Sequence, residues 1–222
     1  PYLDFGTAAL RLAACQREPR HEVATGETLL SVSFDDPREW ETGTYPVGAE
    51  EPESILSVVD GRFRIEHRSP RSPSFTWSLG GDSYEDVVIE VDSEQLSEEE
   101  NNLYGVACRL APDANGDASG YAILISGDGY YGFARIASRS LTFLVDWHQS
   151  DAINQGQASN RIRAVCVDDY LALYVNDVYE SAITDTTYTQ PGQVGLIAGV
   201  TQGATISIEF DDLTVYEGRI SD

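Results

Sequence analysis

The sequence contains no lysine and no methionine, and positive charge is scarce. Its 14 basic residues are all arginine and stand against 37 acidic residues, which gives a net charge of -23. A field of this sign repels phosphate backbones and anionic lipid. Nucleic acid is therefore excluded as a predicted partner, and the charge suits a salty or extracellular medium in which counter-ions screen self-repulsion.

The sequence also lacks several motifs that would indicate a particular chemistry or a membrane span. No run approaches the roughly eighteen apolar residues of a membrane span. The three histidines, His21, His67 and His148, are scattered and form no zinc-ligand pattern. Neither the Gly-x-Ser-x-Gly motif of hydrolases nor a phosphate-binding loop is present. Apolar periodicity typical of a helix is missing as well, so we expect very little helix.

Cysteine is scarce, with three residues in 222. Cys108 and Cys166 each lie within an apolar segment and are predicted to point inward. A disulfide between them would stabilise the protein by roughly 4 kcal/mol through chain entropy, and it would indicate an oxidising compartment. Two buried free thiols are the alternative.

The third cysteine, Cys15, lies in a different context near the N-terminus. Residues 12–15 read Leu-Ala-Ala-Cys, which resembles a bacterial lipobox and makes Cys15 a candidate lipid anchor. The alternative is an ordinary disordered leader, because Asp4 and Arg11 interrupt the preceding apolar stretch. Polar residues without periodicity follow. We therefore expect a disordered leader and linker over 1–27 and one domain over 28–220.

The rest of the chain consists of short segments in which apolar and polar residues alternate, each closed by Gly, Asp or Asn. Such alternation predicts strands with one buried face, and Asp60-Gly61 predicts the turn of a hairpin. Strands are predicted near 29–34, 55–67 (one hairpin), 74–79, 86–96, 103–110, 119–126, 130–136, 141–147, 161–167, 170–175, 178–183, 193–200 and 205–217. Some thirteen short strands at regular spacing favour an antiparallel double-sheet or closed β-fold.

Several of these segments resemble one known group of domains. They are FDDPREWETGTY, DGRFRIE, YGVACRL to YAILISGDGYYGFARI, AINQGQASNRIRAVCVDDYLALYVND, VGLIAG and IEFDDLTVYE. Over residues 28–217 the chain resembles the concanavalin A-like lectin and glucanase jelly rolls, of the laminin-G-like kind found in bacterial secreted proteins and lipoproteins. The resemblance implies an all-β sandwich of two curved antiparallel sheets. It also implies a concave face that often takes carbohydrate, although some members are glycosidases.

One acidic strand is a candidate catalytic site. Glu90, Asp92 and Glu94 resemble the Glu-x-Asp-x-Glu signature of laminarinase-type enzymes, and alternate residues on a strand share a face. Retaining glycosidases use two carboxyl groups about 5–5.5 Å apart. The flanking residues depart from that signature, and a solvated acidic face is the alternative expected in so acidic a chain.

A calcium site is a second candidate. Asp113, Asn115 and Asp117 offer alternating oxygen ligands, but Ala118 and Leu124 stand where a calcium loop would have Gly and a bidentate Glu. The same residues suit a hairpin loop. No cofactor is required by the sequence, and calcium is kept as the alternative.

The candidate ligand-binding residues combine aromatic rings with arginine. They are Arg109, Tyr131, Arg135, Trp147 and Arg163. Exposed aromatic rings stack on sugar rings, and arginine donates paired hydrogen bonds to hydroxyl or carboxylate oxygens. Packing of the tyrosine and ion pairing of the arginines are the alternatives.

Taken together, these observations predict a non-catalytic extracellular or cell-surface binding module. We expect its partner to be carbohydrate, bound on the concave sheet, or an extracellular protein, with a membrane involved only through a lipid anchor. Glycoside hydrolysis by Glu90, Asp92 and Glu94 is one alternative. A structural adhesion domain is the other.

Overall fold

In a computed structural model of the chain, residues 21–70, 73–112, 117–201 and 203–221 are described. Their regular structure is entirely β, as predicted. In these ranges no helix is long and apolar enough to cross a bilayer. The strands are β1 (Val23–Val32), β2 (Gly43–Tyr45), β3 (Ser54–Val59), β4 (Arg62–Arg68), β5 (Ser74–Tyr84), β6 (Val87–Gln95), β7 (Asn102–Pro112), β8 (Ala118–Ile125), β9 (Tyr130–Ser138), β10 (Ser140–Gln149), β11 (Ser159–Val167), β12 (Tyr170–Val175), β13 (Val178–Thr184), β14 (Gly192–Val200) and β15 (Thr205–Ile220).

The strands form two antiparallel sheets. One has nine strands in the order β13-β12-β11-β6-β15-β4-β3-β2, with β1 also paired to β15. The other has six strands in the order β10-β9-β8-β7-β14-β5. Strands distant in sequence therefore become neighbours, as β5 and β14 do in the six-stranded sheet.

The main core lies between the two sheets. Alternate residues of each strand point into it, such as Tyr104 and Val106 on β7 and Ile89 and Val91 on β6, all wholly buried. The residues between them in each strand point to the outer faces of the sheets, where apolar ones form two smaller clusters. Each sheet therefore has an inner face in the core and an outer face with its own pattern.

Cys108 of β7 and Cys166 of β11 form a disulfide with a Cα–Cα distance of 6.7 Å. Because β7 belongs to the six-stranded sheet and β11 to the nine-stranded sheet, the bond ties the two layers together across the core. The predicted pairing is confirmed. The bond spans 58 residues of sequence.

The N-terminal boundary differs from the prediction. β1 begins at Val23, which pairs with Ile220, so residues 23–27 belong to the sheet and not to the linker predicted over 1–27. Most of these residues are exposed, and backbone pairing with β15 holds them in place. The pattern of apolar residues therefore does not indicate a strand at 23–27. Residues 1–20 of the predicted leader lie outside the described residues.

Candidate binding face

The outer face of the six-stranded sheet carries an apolar layer. Seven small and aliphatic side chains from the four strands β7, β8, β9 and β14 are almost completely buried in it. We call these seven the floor: Ala107, Leu110, Ala118, Ala122, Leu124, Ile136 and Ile197. Polar side chains are the usual occupants of a solvent-facing sheet surface, so this layer requires an explanation.

Aromatic side chains from the two edge strands pack against the floor. We call them the walls: Phe75 and Trp77 on β5, and Phe143 and Trp147 on β10. The ring centroids are 5.7 Å apart in the first pair and 5.2 Å apart in the second. β5 and β10 are the two opposite edges of the sheet, yet both contribute rings to one cluster. Phe75 of β5 and Phe143 and Trp147 of β10 also line one cavity, so the sheet curls and this outer face is concave.

The concave face holds a cavity of about 520 Å³, which we call the first cavity. Phe75, Phe143 and Trp147 line it together with Leu103 and Leu141. Polar groups line the rest of it, at the ends of the strands and in the adjoining loops: Ser74, Asn101, Asn102, Ser126, Asp128, Arg139, Ser140 and Thr201. An apolar surface bordered by hydrogen-bonding groups is typical of a small-molecule or glycan site.

The wall strand β5 is held in place by the segment between β1 and β2. The Glu41 carboxylate accepts a hydrogen bond from the Leu79 backbone N–H (3.2 Å) and another from the Tyr45 hydroxyl (3.1 Å). The Ser78 hydroxyl donates to the Glu41 carbonyl oxygen at 2.7 Å. These bonds satisfy part of an exposed sheet edge and fix the position of Trp77.

His67 supports the start of the same strand. Its Nε2 lies 2.9 Å from the Ser74 hydroxyl and its Nδ1 2.9 Å from the Ser54 hydroxyl. Burial lowers the pKa of His67 below its usual value. The imidazole thus links β3, β4 and the beginning of β5.

No protein-family model matches the chain, and no curated protein matches its sequence. Solved structures do match. The carbohydrate-binding module CBM66 from Bacillus subtilis superposes with a TM-score of 0.57 at 15% identity, covering 81% of this chain and 96% of the module. The β-glucanase from Bacillus licheniformis superposes with a TM-score of 0.61 at 13% identity, covering 88% of this chain and all (100%) of the enzyme. The fold is a concanavalin A-like jelly roll. A Bacillus subtilis protein with a galectin-like fold also matches, with a TM-score of 0.61 at 11% identity, covering 89% and 99% of the two chains. Likeness at these identities shows the fold alone, so ligand and chemistry depend on the residues of this jelly roll itself.

The structure separates the five residues predicted to bind ligand together. Trp147 lies in the walls of the concave face, half-buried. Tyr131 does not, because it points into the main core with 2% of its surface exposed and stacks on His148. The interpretation of Tyr131 as an exposed sugar-stacking ring is wrong, since alternation on β9 turns it inward.

Arg109 is likewise not on an open face. It is 4% exposed, and its guanidinium donates to Asp86 (3.1 Å) and to the Tyr188 carbonyl oxygen (2.9 Å). The register of β7 shifts between Cys108 and Ala111, and Arg109 has a φ of 52°. This bulge breaks the alternation on which the prediction rested. Arg109 is a buried ion-pair residue.

Arg135 and Arg163 lie away from the concave face. Arg135 pairs with Asp185 and lies opposite the inward-pointing Tyr121 on β8. Arg163 is on the nine-stranded sheet, with Nε 3.3 Å from Glu90 and its guanidinium 4.8 Å above the Tyr174 ring. The five residues predicted to bind ligand therefore do not form one surface.

Glu90, Asp92 and Glu94 share a face of β6, as alternation predicts. That face is the outer side of the nine-stranded sheet, on the opposite side of the sandwich from the walls. Arg161 contacts Glu90 at 2.8 Å and Asp92 at 3.0 Å, while Arg62 contacts Glu94 at 2.6 Å. The three carboxylates thus belong to an ion-pair network on the nine-stranded sheet.

The remaining predicted residues lie largely outside the described part of the chain. This is so for Cys15, Asp113 and Asn115, and both the lipid anchor and calcium stay predictions. Asp117 is described, and its Oδ1 accepts a hydrogen bond from Arg139 Nε at 3.0 Å. Within the described ranges, no group of three or more His, Cys, Asp or Glu residues is placed to hold a metal ion.

Sequence reasoning missed six side chains of the concave face: Phe75, Trp77, Leu79, Leu103, Leu141 and Phe143. The sequence does show these residues as apolar side chains at alternate positions of a strand. Phe75, Trp77 and Leu79 stand at every second position of β5, and Leu141 and Phe143 do so on β10. Recognising them as one surface required the strand order, which places β5 and β10 at the two edges of one sheet.

A partly buried carboxylate, Asp185, directly after β13 makes stability depend on pH. Burial would raise the pKa of Asp185, but hydrogen bonds from Arg135, from the Tyr121 hydroxyl (2.6 Å) and from the Thr187 N–H (2.9 Å) outweigh it and hold that pKa far below its usual value. The pKa of Asp185 is therefore lower in the folded protein than in the unfolded chain. The ionised Asp185 carboxylate stabilises the folded protein fully above the pKa of an unfolded aspartate, about 3.9. This stabilisation is lost as the pH falls through the pKa of Asp185 in the folded protein.

We expect Asp185→Asn to lower the free energy of unfolding by about 1–3 kcal/mol at pH 7, because Arg135 loses its charged partner. The difference between variant and wild type should shrink below about pH 4. Urea unfolding at pH 7 and at pH 3 measures both quantities. An equal difference at the two pH values would show that Asp185 does not contribute through its charge.

Proposed function

We propose that this jelly roll is a non-catalytic carbohydrate-binding module and that its ligand binds on the concave face of the six-stranded sheet. The observation that carries the proposal is the pair of aromatic walls, Phe75 with Trp77 and Phe143 with Trp147, on either side of one apolar floor. Two of the structural neighbours support it, since one is named a carbohydrate-binding module and another a β-glucanase.

The chemistry of the face matches that of a sugar. A pyranose ring has apolar C–H faces, which pack on aromatic rings, and a hydroxyl-bearing edge, which needs donors and acceptors. Aromatic rings supply the first requirement in the first cavity. Asn101, Asp128 and Thr201, at its margin, supply the second. Each floor residue is almost wholly buried, so the ligand meets the walls and the margin, and the floor supports them.

The arrangement of carboxylates favours binding without hydrolysis. Glycoside hydrolysis uses two carboxyl groups on either side of the scissile bond. Among the described residues that line the first cavity, Asp128 is the single carboxylate, and it accepts a hydrogen bond from the Ser126 hydroxyl at 2.6 Å. Glu90, Asp92 and Glu94 are in contact with arginines on the other sheet.

The disulfide supports a location outside the cytoplasm. Bonds of this kind form and persist in oxidising compartments, and Cys108 and Cys166 are joined between the two sheets. We therefore place the module in an extracellular or cell-surface setting.

Affinity electrophoresis through a panel of soluble polysaccharides tests the proposal, with calcium and with chelator in parallel. We expect at least one neutral polysaccharide to retard the protein without new reducing ends. Retardation accompanied by new reducing ends would make the protein a hydrolase. Retardation by none of the panel would reject carbohydrate and favour a protein-contacting adhesion domain.

The variant Glu90→Gln separates binding from catalysis. We expect it to bind glycan as tightly as the wild type, because Glu90 lies on the sheet opposite the walls. Electrophoretic retardation and a reducing-end assay on wild type and variant provide the comparison. Loss of a measurable wild-type turnover in the variant would establish the hydrolytic alternative.

A further inference from the structure

The concave face holds a second cavity, of about 620 Å³. Trp77 and Leu79 of β5 line it from one side, and Tyr45 at the end of β2 and Pro112 at the end of β7 contribute as well. Trp77 and Leu79 also pack against the floor, so this cavity opens onto the same face as the first. Both volumes fall in the range of small-ligand sites.

The two cavities share one boundary. Residues 73–75, which end in Phe75, and Arg139 line both of them. Residues 73–75 lie at one end of the edge strand β5, and Arg139 lies in the turn between β9 and β10. These opposite corners of the sheet therefore approach each other over the floor and form a ridge, with one cavity on each side.

The cavities extend along the sheet. Trp147 lines only the first cavity, and Trp77 and Leu79 line only the second. Trp147 on β10 and Leu79 on β5 lie on the two edge strands of the sheet, with four strands between them. A monosaccharide fills one such cavity and cannot contact both Trp147 and Leu79, whereas a chain of linked sugars can.

We propose that the two cavities are subsites of one extended site and that its occupant is an internal stretch of a neutral polysaccharide chain. This inference rests on the proposed function. In this arrangement a polysaccharide binds along the concave face and crosses the ridge formed by Phe75 and Arg139. Linking two weak contacts in one ligand raises affinity because the second contact is made at high effective concentration.

The charges around the face indicate a neutral chain. Every arginine in the described ranges contacts a carboxylate: Arg38, Arg62, Arg64, Arg68, Arg109, Arg135, Arg139, Arg161, Arg163 and Arg219. At the ridge, Arg139 pairs with Asp117. The first cavity adds Asp128 and the second adds Glu41 and Glu53. A uronate or sulfate group would thus meet acidic neighbours in a protein of net charge -23.

Calorimetric titration with size series tests the inference. The probes are neutral gluco-, xylo-, manno- and fructo-oligosaccharides from disaccharide to octasaccharide, with alginate oligosaccharides as the anionic comparison. For the neutral series that binds, we expect affinity to rise at least about tenfold with length before it levels off. Alginate is expected not to bind.

The variant Trp77→Ala should flatten that rise, since it removes the main ring of the second cavity while Trp147 remains. Val178→Ala is the control, because Val178 is an exposed residue on the nine-stranded sheet and its loss should leave the length dependence unchanged. A trisaccharide that binds as tightly as the octasaccharide would overturn the two-subsite inference and leave the proposed function standing. Binding of no neutral oligosaccharide or polysaccharide would overturn both.

Discussion

Replacing Trp147 by alanine is expected to weaken glycan binding between about tenfold and a hundredfold, without unfolding the protein. Truncating a stacking indole removes both apolar contact and ring stacking, together about 1.5–3 kcal/mol. Trp147 is half-buried at the edge of the six-stranded sheet and packs on Phe143, outside the main core. Its loss should therefore act on the site far more than on the fold. Titration calorimetry with the polysaccharide that retards the protein measures the change.

The neighbouring residue on the same strand offers a matched control. His148 is exposed and stacks on Tyr131, which points inward, so it lies on the other side of β10 from the walls. We expect His148→Ala to keep wild-type affinity. Equal losses in the two variants, or no loss in Trp147→Ala, would argue against the concave face as the binding surface.

Removing the disulfide should have the largest effect on stability. We expect the double variant Cys108→Ala/Cys166→Ala to lose about 2–5 kcal/mol of unfolding free energy, because the bond closes a long loop in the unfolded chain and links the two sheets. For a domain of this length the melting temperature should fall by about 10 °C. Thermal unfolding followed by circular dichroism measures the shift.

Reductant provides the corresponding control for the disulfide. It should lower the melting temperature of the wild type and leave that of the double variant unchanged. Mass spectrometry of unreduced peptides should show Cys108 linked to Cys166. A wild type that is indifferent to reductant, with two alkylatable thiols at these positions, would contradict the oxidising compartment inferred for the module.

Much of the fold follows from local patterns. Alternation located most strands to within a few residues, and Asp60-Gly61 forms the hairpin turn predicted for it, with φ values of 53° and 79°. β2 was missed because three residues, Gly43–Tyr45, are too few to show a period. The start of β1 was missed because its residues are polar and are held by backbone pairing with β15.

The site was less predictable, for a physical reason. Alternation assigns residues to one of two faces of a strand, but it does not say which face meets the core or which strand lies alongside. Tyr131 points to the inner face of β9. The bulge at Arg109 interrupts the alternation of inward and outward residues on β7. The pairing of β5 with β14, more than a hundred residues later in the chain, assembled Trp77 and Trp147 on one surface.

The three tryptophans allow a direct test of where the ligand binds. Trp77 and Trp147 belong to the walls, whereas Trp40 is buried in the core with its ring against Phe34 and Phe63. The measurement is a two-dimensional ¹⁵N–¹H spectrum of the indole and arginine side-chain N–H groups during titration with the retarding glycan. We predict that the indole signals of Trp77 and Trp147 shift while that of Trp40 stays in place. Shifts confined to the side chains of Arg161 and Arg163, with all three indoles unchanged, would place the ligand on the nine-stranded sheet and contradict the account.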